Sequence, residues 1–220
     1  MKKIFVLLPM IAAFAITGCG DKENEEGTPA QLEISEEQAQ AKVRAIANTD
    51  GIELKYKTND NGTEFEFTLG AKDNHYWVLS PDSKMMFAAT NDGGLQSFEY
   101  NEESGEFEKD TLVPSMGAQA SVVFDGALQA LCRANELAQS GDFYKVSDTK
   151  FLGRNATKYK CSYKEAGVSS SYEVIVDKET GITLKCEAKA QVAGEKAVAS
   201  YEVTSFLTGS KVQIPAIKAE

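Results

Sequence analysis

The sequence predicts an α+β protein in which helices cover the concave face of a curved antiparallel sheet, a half-open β-barrel. Two observations predict it. Apolar and polar side chains alternate with a period of two through much of residues 52–110 and 158–203, which is typical of half-buried antiparallel strands. Two other segments, before residue 51 and around residues 118–139, repeat apolar residues at helical spacing. Because a sheet with one apolar face needs a cover, we expect these helices to supply it.

The first helix is predicted to begin at a capping box, the Ser-Glu-Glu-Gln sequence of residues 35–38, with Ile34 placed to contact Ala39. Gly51 ends the helix. The alternating segments that follow predict antiparallel strands joined by polar turns such as SPDSK, TNDGG and NEESG. These strands are predicted at residues 52–56, 65–69, 75–80, 84–90, 95–101 and 105–110.

The second helix is predicted around residues 118–139, where alanine, valine, leucine and phenylalanine form a broad apolar stripe, and Gly141 ends it. Four further strands complete the sheet. They are predicted at residues 158–164, 172–176 and 182–190, with the turn DKETG between the second and the third, and around Tyr201 and Val203. All of these elements are predicted to form a single half-barrel domain over residues 34–217.

The N-terminal residues have the features of an export signal. Lys2 and Lys3 precede an uncharged, largely apolar run at residues 4–16, which as a helix would span about 20 Å, short of the ~30 Å membrane core. The run ends in Ile-Thr-Gly-Cys, which resembles the bacterial lipobox. The resemblance implies that residues 1–18 are removed and that Cys19 carries the lipid. The alternative is an ordinary signal peptide with an incidental cysteine. Because two or more acyl chains anchor a protein stably, the lipobox predicts lasting attachment to a membrane.

The segment after Cys19 is predicted to be an acidic, disordered tether over residues 19–33. Its sequence GDKENEEGTPAQ contains four acidic residues and no aromatic one. It is interpreted either as a spacer or as a signal for the outer face of the outer membrane, since it resembles the acidic, lysine-containing patch that some Gram-negative lipoproteins carry there. The predicted location is the outer membrane, on its periplasmic face or at the cell surface.

The charge of the chain excludes some partners. The whole sequence has a net charge of −10, and removal of residues 1–18 takes away two lysines, which brings it near −12. Such a chain is repelled by nucleic acid and by anionic lipid. We therefore expect no nucleic-acid partner and a membrane contact that depends on the lipid anchor.

The order of segments resembles the outer-membrane lipoprotein-carrier superfamily and its lipoprotein-sorting-like relatives. The family-like sequences are FLGRNATKYKC, YEVIVDKETGITLK and YEVTSFLTGSKVQIPA, which contain Gly153-Arg154, the turn at residues 177–181 and Ile214-Pro215. The resemblance implies a half-open barrel whose concave face accepts acyl chains. The carriers are soluble, whereas Cys19 ties this chain to a membrane, so a tethered binder of a lipid or lipoprotein acyl chain is the expected variant.

A ligand between sheet and helices would contact the inner face of the sheet and the small residues of the second helix. The alternative is a surface interaction or structural lipoprotein whose core is filled and which takes no small ligand. The predicted lining residues are Phe65, Phe67, Trp77, Leu79, Met85, Phe87, Ala127, Ala130, Ala134, Tyr172, Val174, Leu184 and Tyr201.

Catalytic chemistry is not indicated. His75, the single histidine, alternates with Trp77 and Leu79 and is interpreted as a packed or edge residue rather than a base. Zinc-protease, phosphate-loop and dinucleotide motifs are missing from the sequence, and its Asn/Asp-Gly segments lack the spaced acids of a calcium loop. We therefore predict that the protein is not an enzyme and has no cofactor and no metal site.

Three cysteines remain besides Cys19. If the turns at residues 165–170 and 177–181 set the register, Cys161 lies opposite Val174 and Cys186 opposite Tyr172, two strands and about 9–10 Å apart. That separation is beyond disulfide reach. Cys132 on the second helix can meet either Cys161 or Cys186. A disulfide between them and three buried free thiols both stay open.

Overall fold

The computed structural model describes residues 28–29, 31–110, 114–132, 143–165, 168–192 and 195–219. The predicted signal peptide, Cys19, most of the tether and Ala134 lie outside these residues. Within these residues the elements comprise two helices and twelve strands, and a 3₁₀ turn follows at Gly209–Lys211. Their bounds are β1 Thr28–Pro29, α1 Glu36–Thr49, β2 Ile52–Asp60, β3 Thr63–Lys72, β4 His75–Leu79, β5 Lys84–Ala89, β6 Leu95–Asn101, β7 Glu106–Lys109, α2 Pro114–Cys132, β8 Phe143–Phe151, β9 Arg154–Glu165, β10 Val168–Asp177, β11 Thr183–Val192 and β12 Glu195–Thr208.

The predicted α+β class is confirmed. The strands hydrogen-bond in the order β1-β8-β9-β10-β11-β12-β2-β3-β4-β5-β6-β7, and the sheet is open because β1 and β7 each have a neighbour on one side only. The described strand pairs are antiparallel, as the period-two pattern predicts. The chain divides into two compact units. The first contains residues up to Glu36, Asn59–Glu64 and Gln129–Tyr201, and the second contains Glu37–Thr58, Phe65–Leu128 and Glu202–Glu220.

Two strands were not predicted. β8 was missed because its alternation breaks at Val146, where the register with β9 shifts between Lys145 and Ser147. β1 was missed because it is two residues long and contains Pro29, which a sheet tolerates at an edge. Within the tether predicted over residues 19–33, Thr28 and Pro29 pair with Lys145 and Tyr144 of β8.

In the second unit both faces of the β3–β7 sheet are covered. The two helices contact one face. The other face carries a buried cluster of Trp77, Met86, Phe107 and Val212, which we call the tryptophan cluster. Residues 212–218, here called the C-terminal segment, close this cluster. Phe107 donates its N–H to the Ala216 carbonyl at 2.7 Å, and the Lys218 N–H donates to the Phe107 carbonyl at 2.9 Å.

In the first unit the turn between β10 and β11 is fixed by a buried ion pair. Arg154 donates from Nε and Nη2 to the two carboxylate oxygens of Asp177 at 2.9 and 3.0 Å. The Asp177 carboxylate, whose side chain is 1% exposed, also accepts the backbone N–H and the hydroxyl of Thr180 at 2.8 and 2.7 Å. The family-like Gly-Arg and DKETG sequences thus form one structural corner.

Candidate functional site

The helix-facing side of the sheet in the second unit is the candidate ligand face. On it Tyr76 of β4 lies opposite Phe87 of β5, and their rings stack with centroids 4.8 Å apart. Phe124 of α2 contacts both rings edge-on, at 5.1 Å from Tyr76 and 6.3 Å from Phe87. α2 thus lies against the sheet through an aromatic side chain.

This face is uncharged across residues 52–58 of β2 and across β3, β4 and β5. Strand alternation and the register place one set of side chains on it, and the ring contact of Tyr56 with Phe67, 5.4 Å between centroids, joins β2 to that set. Burial raises the pKa of the Tyr56 hydroxyl, because an ionised phenol would lose its hydration there. The set comprises Ile52, Leu54, Tyr56, Phe65, Phe67, Leu69, Ala71, Tyr76, Val78, Met85 and Phe87.

The apolar face continues beyond the part that is covered. Phe67 is buried, whereas Phe65, two residues earlier on the same face of β3, is 36% exposed. Tyr56 and Met85 are half-buried. An apolar group reaching this end of the face would therefore contact aromatic and thioether side chains without having to displace a charge.

Polar contacts join the two helices to each other and α1 to this face of the sheet. Arg44 of α1 and Asp125 of α2 form an ion pair in which both side chains are about half exposed. The Tyr76 hydroxyl donates to the side-chain oxygen of Asn48 on α1 at 3.5 Å. Beneath these contacts the helices bury apolar side chains, namely Ala39, Val43 and Ala47 of α1 and Ala120, Phe124 and Leu128 of α2.

The prediction that Trp77 and Leu79 share a face with Met85 and Phe87 is wrong. β4 pairs with β5 so that Trp77 lies opposite Met86, while Val78 lies opposite Met85. Trp77 therefore belongs to the tryptophan cluster on the other side of the sheet, and Leu79 packs against that cluster. The period of two within each strand does not fix which faces of neighbouring strands coincide, and a shift of one residue reverses the assignment.

The predicted α2 lining residues Ala127 and Ala130 are not among the side chains that this helix buries in the core. The helix directs Phe124 and Leu128 into the core, whereas Ala127 and Ala130 are only half-buried. Ala134 lies outside the described residues. The stripe is wide enough that sequence alone did not show which of its edges faces the sheet.

The predicted lining residues on the later strands belong to the first unit. Val174 of β10 and Leu184 of β11 are fully buried, and Tyr201 is 7% exposed. Tyr172 is half-buried, and burial raises the pKa of its hydroxyl. Ala130 also belongs to this unit. The predicted set is thus split between two compact units.

The cysteine register differs from the prediction by two residues. Cys161 lies opposite Tyr172, and Cys186 lies opposite Val174. Cys132, Cys161 and Cys186 are all buried thiols, and of the two alternatives left open, the structure shows no disulfide between Cys132 and either of the other two described cysteines. Burial raises the pKa of Cys132 and of Cys186 to about 12. The turn between β9 and β10 is centred one residue earlier than predicted, which moves the partner of Cys161, and the register of β10 with β11 shifts between Ile175 and Val176, which moves the partner of Cys186.

Two smaller features complete the description of polar sites. A cleft in the first unit, beside the Asp177 corner, has a cavity volume of about 20 Å³, which is space for a single water molecule. Its lining includes Ile34, Tyr159 and Lys178. His75 is half-buried on β4, with Nδ1 2.9 Å from the Asp73 carbonyl oxygen and its ring against Phe98.

In the part of the chain that the structure describes, we find no helix with the length and apolarity needed to span a bilayer.

No family model matches the sequence, and no curated protein sequence matches it. Solved structures do show similarity. The complex of Pseudomonas aeruginosa MucA and MucB matches at 15% identity with a TM-score of 0.36, over 84% of this chain and 59% of that one. An outer membrane lipoprotein-sorting protein domain from Vibrio parahaemolyticus matches at 9% identity with a TM-score of 0.28, over 81% of this chain and 94% of that one.

LprF from Mycobacterium bovis matches at 9% identity with a TM-score of 0.36, over 86% of this chain and 98% of that one. In contrast, the chain spans less than two thirds of the length of the matched chain in the MucA/MucB complex. At these identities and TM-scores, the similarities are no basis for assigning a ligand or a partner.

Proposed function

We propose that the chain is a bacterial lipoprotein of the outer membrane, anchored through Cys19, whose domain binds an acyl chain or another apolar ligand. The site is the helix-facing side of the sheet in the second unit. The observation that carries the proposal is the uncharged, aromatic face that runs from buried Phe87 and Phe67 to exposed Phe65. Each methylene buried on such a face contributes about 0.8 kcal/mol, so a chain of several carbons binds without polar contacts.

Binding on this face does not require catalytic groups. The side chains that would contact the ligand carry no charge, and we propose that the protein binds rather than transforms it. The anchor holds the binding domain at a membrane, where acyl chains are supplied. No cofactor enters the proposal.

A second function is favoured by one specific observation. Phe124 fills the space above Tyr76 and Phe87, which is what a protein with a filled core would show. On that account the protein is an interaction or structural lipoprotein that takes no small ligand.

The two functions are distinguished by uptake of a fluorescent fatty acid by the chain from Gly20 to Glu220, which lacks Cys19. We expect the parent to take up the probe and to yield co-purified lipid. Phe65→Glu should weaken uptake at least tenfold, because the new carboxylate must lose hydration at the end of the face. Phe124→Ala should strengthen uptake by opening space under α2.

The matched control is Val122→Glu, because Val122 lies on α2 with 68% of its side chain exposed and should not affect uptake. If neither the parent nor Phe124→Ala takes up the probe, the filled-core function is the better account. The anchor is tested separately. Cys19→Ala in the full chain should abolish incorporation of labelled palmitate, and continued labelling would contradict the anchor.

A further inference from the structure

The turn between β8 and β9 carries an unexpected residue. Leu152 and Gly153 both have positive φ angles, +50° and +77°, between the paired residues Phe151 and Arg154. Such a two-residue turn is of type I′, which favours Asn-Gly or Asp-Gly because leucine rarely adopts the left-handed conformation. The chain follows that rule elsewhere, with Asn61-Gly62 at φ +48° and +94°. Leucine at position 152 is therefore not explained by the turn.

Packing does not explain Leu152 either. Its side chain is 46% exposed, although leucine is ordinarily placed in a core. A Cβ atom added to Gly153 would meet no atom within 4 Å, so the tip of the hairpin is open on that side. A strained backbone at an exposed apolar residue is a reason to look for a function.

The base of this tip is held firmly. Arg154, the first residue after the turn, is bound by the buried Asp177 carboxylate and by Glu179, whose Oε2 accepts from Arg154 Nη2 at 2.7 Å. The hairpin thus presents Leu152 on a fixed support.

The direction of β1 relates the tip to the proposed anchor. β1 runs antiparallel to β8, with Thr28 opposite Lys145 and Pro29 opposite Tyr144. Passing from Pro29 to Thr28 therefore leads along β8 toward Leu152. Nine residues separate Thr28 from Cys19 and can span at most about 32 Å, whereas the seven residues from Lys145 to Leu152 extend about 23 Å. The lipid on Cys19 can therefore reach the level of the hairpin tip.

The segment around the tip is basic, unlike the chain as a whole. Residues 143–162 contain four lysines, one arginine and one aspartate, in a protein of net charge −10. Asp148 pairs with Lys145 and Lys178, and the acids of the neighbouring turn, Asp177 and Glu179, pair with Arg154. This part of the surface is therefore not repelled by a membrane that carries anionic lipid.

We propose that the β8–β9 hairpin tip is a membrane-contact site, at which Leu152 inserts into the lipid interface while Cys19 holds the protein at the bilayer. The inference rests on the proposed anchor. Its partner is a lipid surface, and the apolar insertion of Leu152 carries the contact. Lys150, which is exposed beside the tip, can extend its ammonium group toward the headgroups.

The test uses the lipid-anchored protein extracted from membranes, with Leu152→Cys labelled by an environment-sensitive fluorophore and the protein reconstituted into phosphatidylethanolamine–phosphatidylglycerol vesicles. Cys132, Cys161 and Cys186 are buried, and Cys19 would be acylated, so labelling is confined to the new thiol. We expect emission shifted to shorter wavelength and at least a twofold loss of fluorescence when doxyl-labelled lipid is included. Val122→Cys, also exposed, is the control and should show neither effect.

The proposal is overturned if the label at position 152 is quenched by iodide in solution and not by doxyl lipid. That result would mean that the tip stays in water and either binds a soluble protein or binds nothing. Failure of the anchor gives a different result, because the protein then does not float with the vesicles. Failure of acyl-chain binding leaves both readouts unchanged.

Discussion

At the scale of single residues, the Asp177 corner is the most strongly determined site in the first unit. Its carboxylate is almost fully buried and accepts hydrogen bonds from the Arg154 guanidinium and from both donors of Thr180. Removing one partner of such a buried pair leaves the others uncompensated, which costs more than the pair itself contributes.

We expect Asp177→Ala to lower the free energy of unfolding by about 3–5 kcal/mol, because the Arg154 charge and the Thr180 N–H lose their shared acceptor. Glu179→Ala is the matched control. Its side chain is 78% exposed and also pairs with Arg154, so the loss should stay within about 0.5 kcal/mol. Urea denaturation measures both, and equal losses would contradict a special role for the buried carboxylate.

The buried thiols predict a pH dependence of stability. Cys132 and Cys186 have folded-state pKa values near 12, above the ordinary value of 9.0. From pH 9 to 12 the unfolded chain loses these protons while the folded chain keeps them. The free energy of unfolding should therefore fall with rising pH, by about 1.4 kcal/mol per pH unit for each thiol. Cys186→Ala should show a shallower slope than the parent in urea denaturation, and parallel slopes would contradict the assignment.

At the scale of elements, the C-terminal segment acts as a cover for one face of the sheet in the second unit. It contributes Val212 to the tryptophan cluster, and Ile214 and Ile217 pack against that cluster. The Trp77 ring lies across Gly70 of β3, where an added Cβ atom would come within 2.0 Å of the ring. Trp77 is fully buried, and it is the single tryptophan of the chain, so its fluorescence reports on this cover.

We expect Ile217→Asp to release the C-terminal segment and to shift the Trp77 emission to longer wavelength, because a carboxylate cannot stay against the cluster without its hydration. The loss of stability should be about 2–3 kcal/mol. Ala216→Asp changes the neighbouring exposed residue and should leave the emission unchanged. An unshifted Trp77 emission for Ile217→Asp would contradict the role of the C-terminal segment as a cover that keeps water from Trp77.

At the scale of the whole molecule, charge and the proposed anchor act together. The chain is acidic, with 33 acidic and 23 basic side chains, and four acids lie directly after Cys19. These acids either keep the domain away from the bilayer or direct the protein to the outer face of the outer membrane. Only the second of these two roles requires the acids for display of the protein at the cell surface.

We expect replacement of Asp21, Glu23, Glu25 and Glu26 by alanine to lower cleavage of the protein by protease added to intact cells, with the total amount in membranes unchanged. The measurement is surface proteolysis alongside a quantified membrane fraction. If the parent and the variant are cleaved to the same extent, the acidic segment acts only as a spacer.

Much of the fold could be predicted because its signals are local. The capping box before Ala39 and the alternation through β4 and β5 depend only on neighbours in the chain, and both elements form where they are predicted. β8 could not be predicted because its bulge interrupts the alternation at Val146. The candidate site was predicted less well, since Trp77 and Phe87 have the same apolar character but lie on opposite faces.

The sequence by itself determined the fold class, the helix and strand types and the predicted lipid anchor, because each depends on periodicity or on a short motif. The tertiary structure alone decided which apolar residues share a face, which side of α2 meets the sheet and that the three described cysteines form no disulfide with one another. It also revealed the strained leucine at position 152. The physical reason is that strand register and helix rotation are set by contacts between distant segments, and a shift of one residue in a strand exchanges its two faces.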